Sequence, residues 1–175
     1  MRRFSIFIVL FVLYILEGTV FQILAPDQYG VAYTFVPRWL FMVIIFVGIY
    51  RGRISGTFYG IMFGFIYDVI FGSVLGLYTF GMGFIAYLLS ISIPFFQKNL
   101  PVTVLTSFLA AIALEYYIYG MMLLLDLAHT SHDIFLHDRF IPSMIMNFAV
   151  IVVLAYPLKR WLKYLNRKQS EAEAI

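Results

Sequence analysis

Charges, prolines and glycines cut this chain into six apolar stretches: Phe4–Leu24, Thr34–Tyr50, Ile54–Phe71, Val74–Ile93, Pro101–Leu127 and Phe140–Leu158. A helix needs ~20 residues to cross a bilayer, with ~17–25 the usual range, so each stretch predicts one crossing. The second and third are short, and only Arg51-Gly52-Arg53 separates them. Reading them as one interrupted helix would bury arginines at ~2.5–3.5 kcal/mol each, even on the lenient insertion scale. A hairpin that turns at the membrane surface avoids that cost. The pattern therefore predicts an all-α, polytopic bundle of six transmembrane helices.

Within this pattern a marked residue recurs at every fourth position: Gly48, Gly52, Gly56, Gly60, Gly64, Asp68, Gly72 and Gly76. Positions i and i+4 share a helix face, so Gly56, Gly60, Gly64 and Asp68 predict a smooth groove ending in a carboxylate. In water each glycine would weaken a helix by ~1 kcal/mol relative to alanine. In lipid, small residues let two backbones approach closely. Gly52, Gly56, Gly60, Gly64, Gly72 and Gly76 are thus read as a helix-packing seam, excluding leucine and tolerating alanine better at Gly60. Gly81, Gly83 and Ala86 continue the theme into the fourth stretch. The short Gly72–Gly76 turn makes the third and fourth helices antiparallel neighbours.

Composition agrees with a membrane. Hydrophobic residues form 63% of the 175 and charged residues 12%, against ~45–50% and ~25% in soluble domains; the mean hydropathy is +0.93. With the N-terminus in the cytoplasm and six crossings, Arg2, Arg3, Arg51, Arg53, Lys98, Lys159, Arg160, Lys163, Arg167 and Lys168 all lie inside, ten of the twelve basic residues. Only Arg38 and Arg139 fall at outer ends. This asymmetry predicts that both termini are cytoplasmic. The domain expected is a single helical unit over residues 1–160, with a short basic and then polar cytoplasmic tail over 161–175. The basic tail suits anionic membrane lipids. No soluble domain presents a basic face to nucleic acid. The first stretch is too long for a secretory h-region and is read as a retained anchor. Cysteine is absent, which removes disulfide, thiol and thiolate–metal chemistry.

Three carboxylates interrupt the apolar stretches: Glu17, Asp68 and Glu115. Ionisable groups at such depth face the bundle interior and mark structural or functional positions. Arg38 is the obvious counter-charge, and Pro37 beside it marks a helix start. Two arrangements suit Asp68: a pair with Arg38, or acceptance of hydrogen bonds from helix ends and hydroxyls. Tyrosine hydroxyls are the natural partners of the other carboxylates. His129, His132 and His137, with Asp133 and Asp138, lack a compact zinc spacing and read as a solvated outer loop. No phosphate loop, HExxH, GxSxG or paired-carboxylate motif is present. An enzyme, a metal site or a cofactor is not expected.

The block Gly60-x3-Gly64-x3-Asp68-x3-Gly72-x3-Gly76-Leu77-Tyr78, followed by Gly81 and Tyr87, resembles the MreD family of rod shape-determining membrane proteins. Length, basic cytoplasmic ends and sparse charge extend the resemblance over almost the whole chain. It implies a non-enzymatic scaffold of the cell-elongation machinery in the cytoplasmic membrane. Its partner would be an MreC-like protein, linked to peptidoglycan synthesis by RodA and its penicillin-binding transpeptidase. The family is also similar in expected fold to the substrate-binding subunits of energy-coupling-factor transporters. That likeness supplies an alternative function, small-molecule binding, for which Tyr29, Tyr33, Trp39, His129 and His132 could contribute polar and aromatic groups. Fold alone does not choose between the two.

Overall fold

A computed structural model describes residues 2–20, 33–127 and 131–173 of the chain. Within them the protein is an all-α helical bundle. Helix α1 spans Arg2–Ile15 and continues through a π-helical segment, Leu16–Val20. Helices α2 (Trp39–Arg51) and α3 (Arg53–Phe71) form a hairpin, followed by α4 (Leu77–Leu89), the short α5 (Pro94–Lys98) and α6 (Leu100–Leu124). The short α7 (His132–Ile134) leads through a second π-helical segment, Phe135–Phe140, into α8 (Ile141–Glu173). Among these, Arg53–Phe71, Leu100–Leu124 and the region His132–Arg167 are long and apolar enough to cross a membrane, while Phe4–Thr19, Trp39–Arg51 and Leu77–Leu89 are shorter apolar helices.

Helix α2 is the centre of the bundle, touching α1, α3, α4, α5, α6 and α8. Its sequence has no polar side from Leu40 to Ile49, and every residue from Leu40 to Tyr50 is buried. A helix that is apolar all round belongs in a core, and here it sits in one. The chain reverses at Gly52, whose φ of +103° lies in the region where a side chain is disfavoured. Arg51 and Arg53 flank that reversal rather than a helix interior.

Helix α3 carries its small residues inward and its large ones outward, the inverse of a soluble amphipathic helix. Gly56, Gly60, Gly64 and Asp68 are buried beside Tyr59, Phe63 and Tyr67, while Ile54, Phe58, Ile61, Phe65 and Val69 are exposed. Its most extensive contact is with α4. A Cβ on Gly60 would lie 2.8 Å from the Met82 carbonyl oxygen. One on Gly64 would lie 2.6 Å from the Tyr78 carbonyl oxygen and 2.8 Å from Thr79 Cα. Backbone meets backbone at both positions, so even alanine at 60 or 64 forces a shift. Gly56 instead faces α2, where a Cβ would lie 2.8 Å from Gly48 Cα.

The other glycines of the series act differently. Gly52 and Gly76 have nothing near the missing Cβ; both hold positive φ at turns. Gly72 ends α3, with its N–H donated to the Asp68 carbonyl oxygen at 3.1 Å. The fourfold spacing thus runs through two helices and the turns on either side, and the interhelical seam proper is Gly48, Gly56, Gly60 and Gly64.

Two boundaries differ from the sequence pattern. Helix α2 starts at Trp39 with Arg38 as its N-cap, so Pro37 precedes the cap instead of occupying the first turn. At the other end of the chain, α8 runs through Pro157 without stopping. Leu158, Leu162 and Leu165 are buried against the bundle. The apolar face at 158, 162 and 165 outlasts the apolar stretch that marks the helix in the sequence.

Candidate functional site

One end of the bundle, where α1 and α3 finish and α2 and α4 begin, gathers the buried charges. Glu17, Arg38, Asp68 and Glu115 are all nearly sealed from solvent. A helix leaves its first N–H groups without partners, and no water reaches them at membrane depth. Two of the carboxylates meet that need. Glu17, on the π-helical end of α1, accepts the Leu40 N–H at 2.7 Å and the Tyr67 hydroxyl. It therefore caps α2 from outside. Asp68, in the last turn of α3, accepts N–H groups from Gly76 (3.0 Å), Tyr78 (2.7 Å) and Thr79 (2.8 Å). The Thr79 hydroxyl adds a fourth bond at 2.5 Å. Negative charge at a helix N-terminus is also favoured by the helix dipole.

Arg38 pairs with Glu115 instead of Asp68: its Nε lies 2.5 Å from Glu115 Oε1. Glu115 also lies 3.6 Å from Arg139 Nη2, contributed by the second π-helical segment. The Arg38 guanidinium sits 5.4 Å from the centre of the Tyr78 ring. Since Tyr78 N–H is bonded to Asp68, the two acidic centres share one tyrosine without sharing a charge. Tyr67, 11 residues before Tyr78, stacks on its ring and bonds Glu17, which closes the layer.

The described residues before α2 form neither helix nor strand and depend on α8. Ser143 accepts the Val36 N–H at 2.9 Å and donates to the Thr34 carbonyl at 3.3 Å. Asn147, one turn further, accepts the Arg38 N–H at 2.9 Å and donates to the Val36 carbonyl at 2.9 Å. Non-helical backbone is tolerated at this depth only when its polar groups find protein partners. The opposite end of α2 is served in the same way: Gln97 Nε2 donates to the Ile49 carbonyl and Asn166 Nδ2 to the Tyr50 carbonyl.

Above Glu115 opens a cleft of about 440 Å³, lined by Thr34, Tyr78, Glu115, Ile118, Tyr119, Met122, Ile134, Phe135, Asp138 and Arg139. Tyr119 stacks on Phe135, with ring centres 3.9 Å apart. Nη2 of Arg38, behind the cleft lining, and Nε of Arg139, within it, are buried without a hydrogen-bond partner. His132 lies against Tyr116 and Tyr119, and His137 meets the Asp133 carbonyl at 3.0 Å. His129 and Tyr29 lie outside the described residues. No group of three His, Asp or Glu able to hold a metal occurs among the described residues.

Sequence reasoning missed Ser143, Asn147, Tyr67, Thr79 and Arg139 as members of this layer. A signal existed for the first two: an i, i+4 pair of polar residues on one face of an otherwise apolar helix.

This arrangement defines a polytopic, all-α membrane protein whose buried charges serve helix ends and one another. Its kinship is found by comparison: a family model described as MreD, rod shape-determining protein MreD, matches residues 1–165. A rod shape-determining protein MreD of Bacillus subtilis (strain 168) is 30% identical over 132 residues, 75% of this chain and 77% of that relative. No solved structure matches the chain. The chain belongs to the MreD family of rod shape-determining proteins. It is accordingly a multi-pass protein of the inner membrane.

Proposed function

We propose that the chain is a scaffold of the cell-elongation machinery, holding an MreC-like protein in the membrane and linking it to RodA and its penicillin-binding transpeptidase. The observation that carries this reading is how the polar groups are spent. Glu17 and Asp68 cap helices, Arg38 pairs with Glu115, and Ser143 and Asn147 hold the non-helical segment before α2. They fix one shape and assemble no reacting constellation. The chain crosses the membrane six times in this reading, with both termini in the cytoplasm. The three shorter apolar helices then serve as crossings with the residues that flank them, and the ten-to-two distribution of basic residues sets the orientation.

A second reading has one observation in its favour. The cleft over Glu115 is of the size that holds small ligands, ~300–1,000 Å³, and combines carboxylates, tyrosines and the Arg139 guanidinium. Such a site would suit a small-molecule-binding subunit of a transporter. Pull-down of the detergent-solubilised chain with an MreC-like protein, run beside ligand binding without partners, separates the two. Recovery of the MreC-like protein supports the scaffold. Recovery with a transporter's energising subunits, or tight binding of a vitamin, supports the alternative.

A further inference from the structure

At the opposite end of the bundle, a second groove of about 690 Å³ lies between α1 and α3. Its walls are apolar: Phe4 and Phe7 from α1, Ile54, Phe58 and Met62 from α3. Phe4, Ile54 and Phe58 are 67%, 85% and 60% exposed, so these walls face away from the protein and toward surrounding hydrocarbon. Its polar groups are gathered at one end. There Arg51 Nη1 lies 3.4 Å from Asn166 Oδ1, and Asn166 is itself held on the Tyr50 carbonyl at 2.8 Å. Ser55 completes that end, bonded to the Arg51 carbonyl oxygen.

We propose that this groove is a binding site for one anionic phospholipid, its phosphate on Arg51 and one acyl chain along the aromatic wall. The order of chemistry along the groove is that of a phospholipid: a fixed cation, a short polar collar, then a mainly aromatic and aliphatic wall. A partner helix would offer the guanidinium at most the carbonyls of a helix C-terminus, whereas a phospholipid offers it a full anionic charge. Arg51 closes α2 at the Gly52 reversal, the depth at which lipid phosphates lie if the hairpin turns at the membrane surface. Basic pockets between helices on the cytoplasmic side are suited to anionic headgroups, and that leaflet is anionic. The contact to Asn166 holds the guanidinium at the mouth of the groove. The planar fork of the guanidinium matches the spacing of phosphate oxygens. The site lies at the other end of the bundle from Glu115 and is independent of the scaffold reading.

Native mass spectrometry of the full chain, in detergent with equal phosphatidylglycerol and phosphatidylcholine, tests this by counting retained lipids. Wild type should retain one phosphatidylglycerol in preference to phosphatidylcholine. Arg51→Gln should lower that retention about fivefold, the ~1 kcal/mol that a basic side chain contributes beside an anionic surface. Arg51→Lys should keep most of it. Arg53→Gln removes the same charge outside the groove, where Arg53 lies over Tyr87, and should leave retention unchanged. Phe58→Ala should lower retention by removing wall area. Should Arg51→Gln fail to fold, Arg51→Lys and Phe58→Ala decide, since neither removes the charge. Equal retention of both lipids, equal losses in Arg51→Gln and Arg53→Gln, or no effect of Phe58→Ala would each overturn the proposal. So would a dimer mass lost on Phe58→Ala, which would assign the groove to a second copy of the chain.

Discussion

Replacing Asp68 with alanine removes four hydrogen bonds at once and strands the N–H groups of Gly76, Tyr78 and Thr79 at the start of α4. Asp68 is 1% exposed, so bulk water does not take its place. Loss of an ordinary N-cap costs ~0.5–2 kcal/mol. Each buried donor left unmatched costs ~1–3 kcal/mol, and the three share one turn, so their costs are not additive. Relaxation of the Gly72–Gly76 turn recovers part of the sum. The expected loss is about 3–5 kcal/mol for Asp68→Ala. Asp68→Asn keeps the shape and one acceptor but turns an amide toward backbone donors, and should cost about half as much. Thr79→Val deletes only the hydroxyl bond, about 1 kcal/mol. Equilibrium unfolding in mixed micelles, titrated with SDS and followed by circular dichroism and tryptophan fluorescence, gives the three values on one scale. If Asp68→Ala lost no more than Thr79→Val, the carboxylate would not be what holds the start of α4, and the capping argument would be refuted.

Gly64→Ala places a Cβ against the Tyr78 carbonyl and Thr79 Cα; overpacking of about 1–3 kcal/mol should exceed the ~1 kcal/mol gained in helix propensity, and the same titration should show net loss, with Gly64→Leu failing to assemble. Arg38→Ala and Glu115→Ala should each destabilise by about 3 kcal/mol or more, while the double mutant should lose less than their sum; strict additivity would deny the pair. Glu17→Gln keeps an acceptor for Leu40 and should cost less than Glu17→Ala by about 1 kcal/mol, with equal losses arguing against a cap on α2. Single cysteines at Gly30, Arg51, Lys98 and Ser131 report the topology because the parent has none; outside labelling should reach 30 and 131, and labelling of 51 or 98 in intact cells would reverse the proposed orientation.

Much of the helical framework was legible because lipid imposes simple rules. Each of the six apolar stretches contains one helix, and the face of α3 carrying Gly60 and Gly64 follows from a spacing of four. Partnerships between distant residues were not legible. Arg38 and Glu115 lie 77 positions apart, and nothing in either stretch encodes the relative register of α2 and α6. Asp68 and Arg38 were natural candidates for each other by sequence proximity across the hairpin, yet local geometry gives Asp68 to the turn it precedes by only a few residues. The π-helical widenings at Leu16–Val20 and Phe135–Phe140 shift Glu17 and Arg139 off the faces that a regular helix would give them. No periodicity read at 3.6 residues per turn would place either one correctly.

The borrowed caps also impose an order on biosynthesis. Glu17 precedes the N–H it caps, that of Leu40, by 23 residues, and Asp68 precedes that of Tyr78 by 10. A chain emerging N-terminus first therefore carries each carboxylate into the bilayer before the N–H groups that need it. Arg38 has the opposite history. Its partner lies 77 residues downstream and is synthesised only when most of α6 has been made. Until then the guanidinium must remain near the headgroups, which its long side chain allows. Final seating of the central helix thus waits on α6, so nascent chains truncated before and after Glu115 should differ in the membrane depth of Arg38.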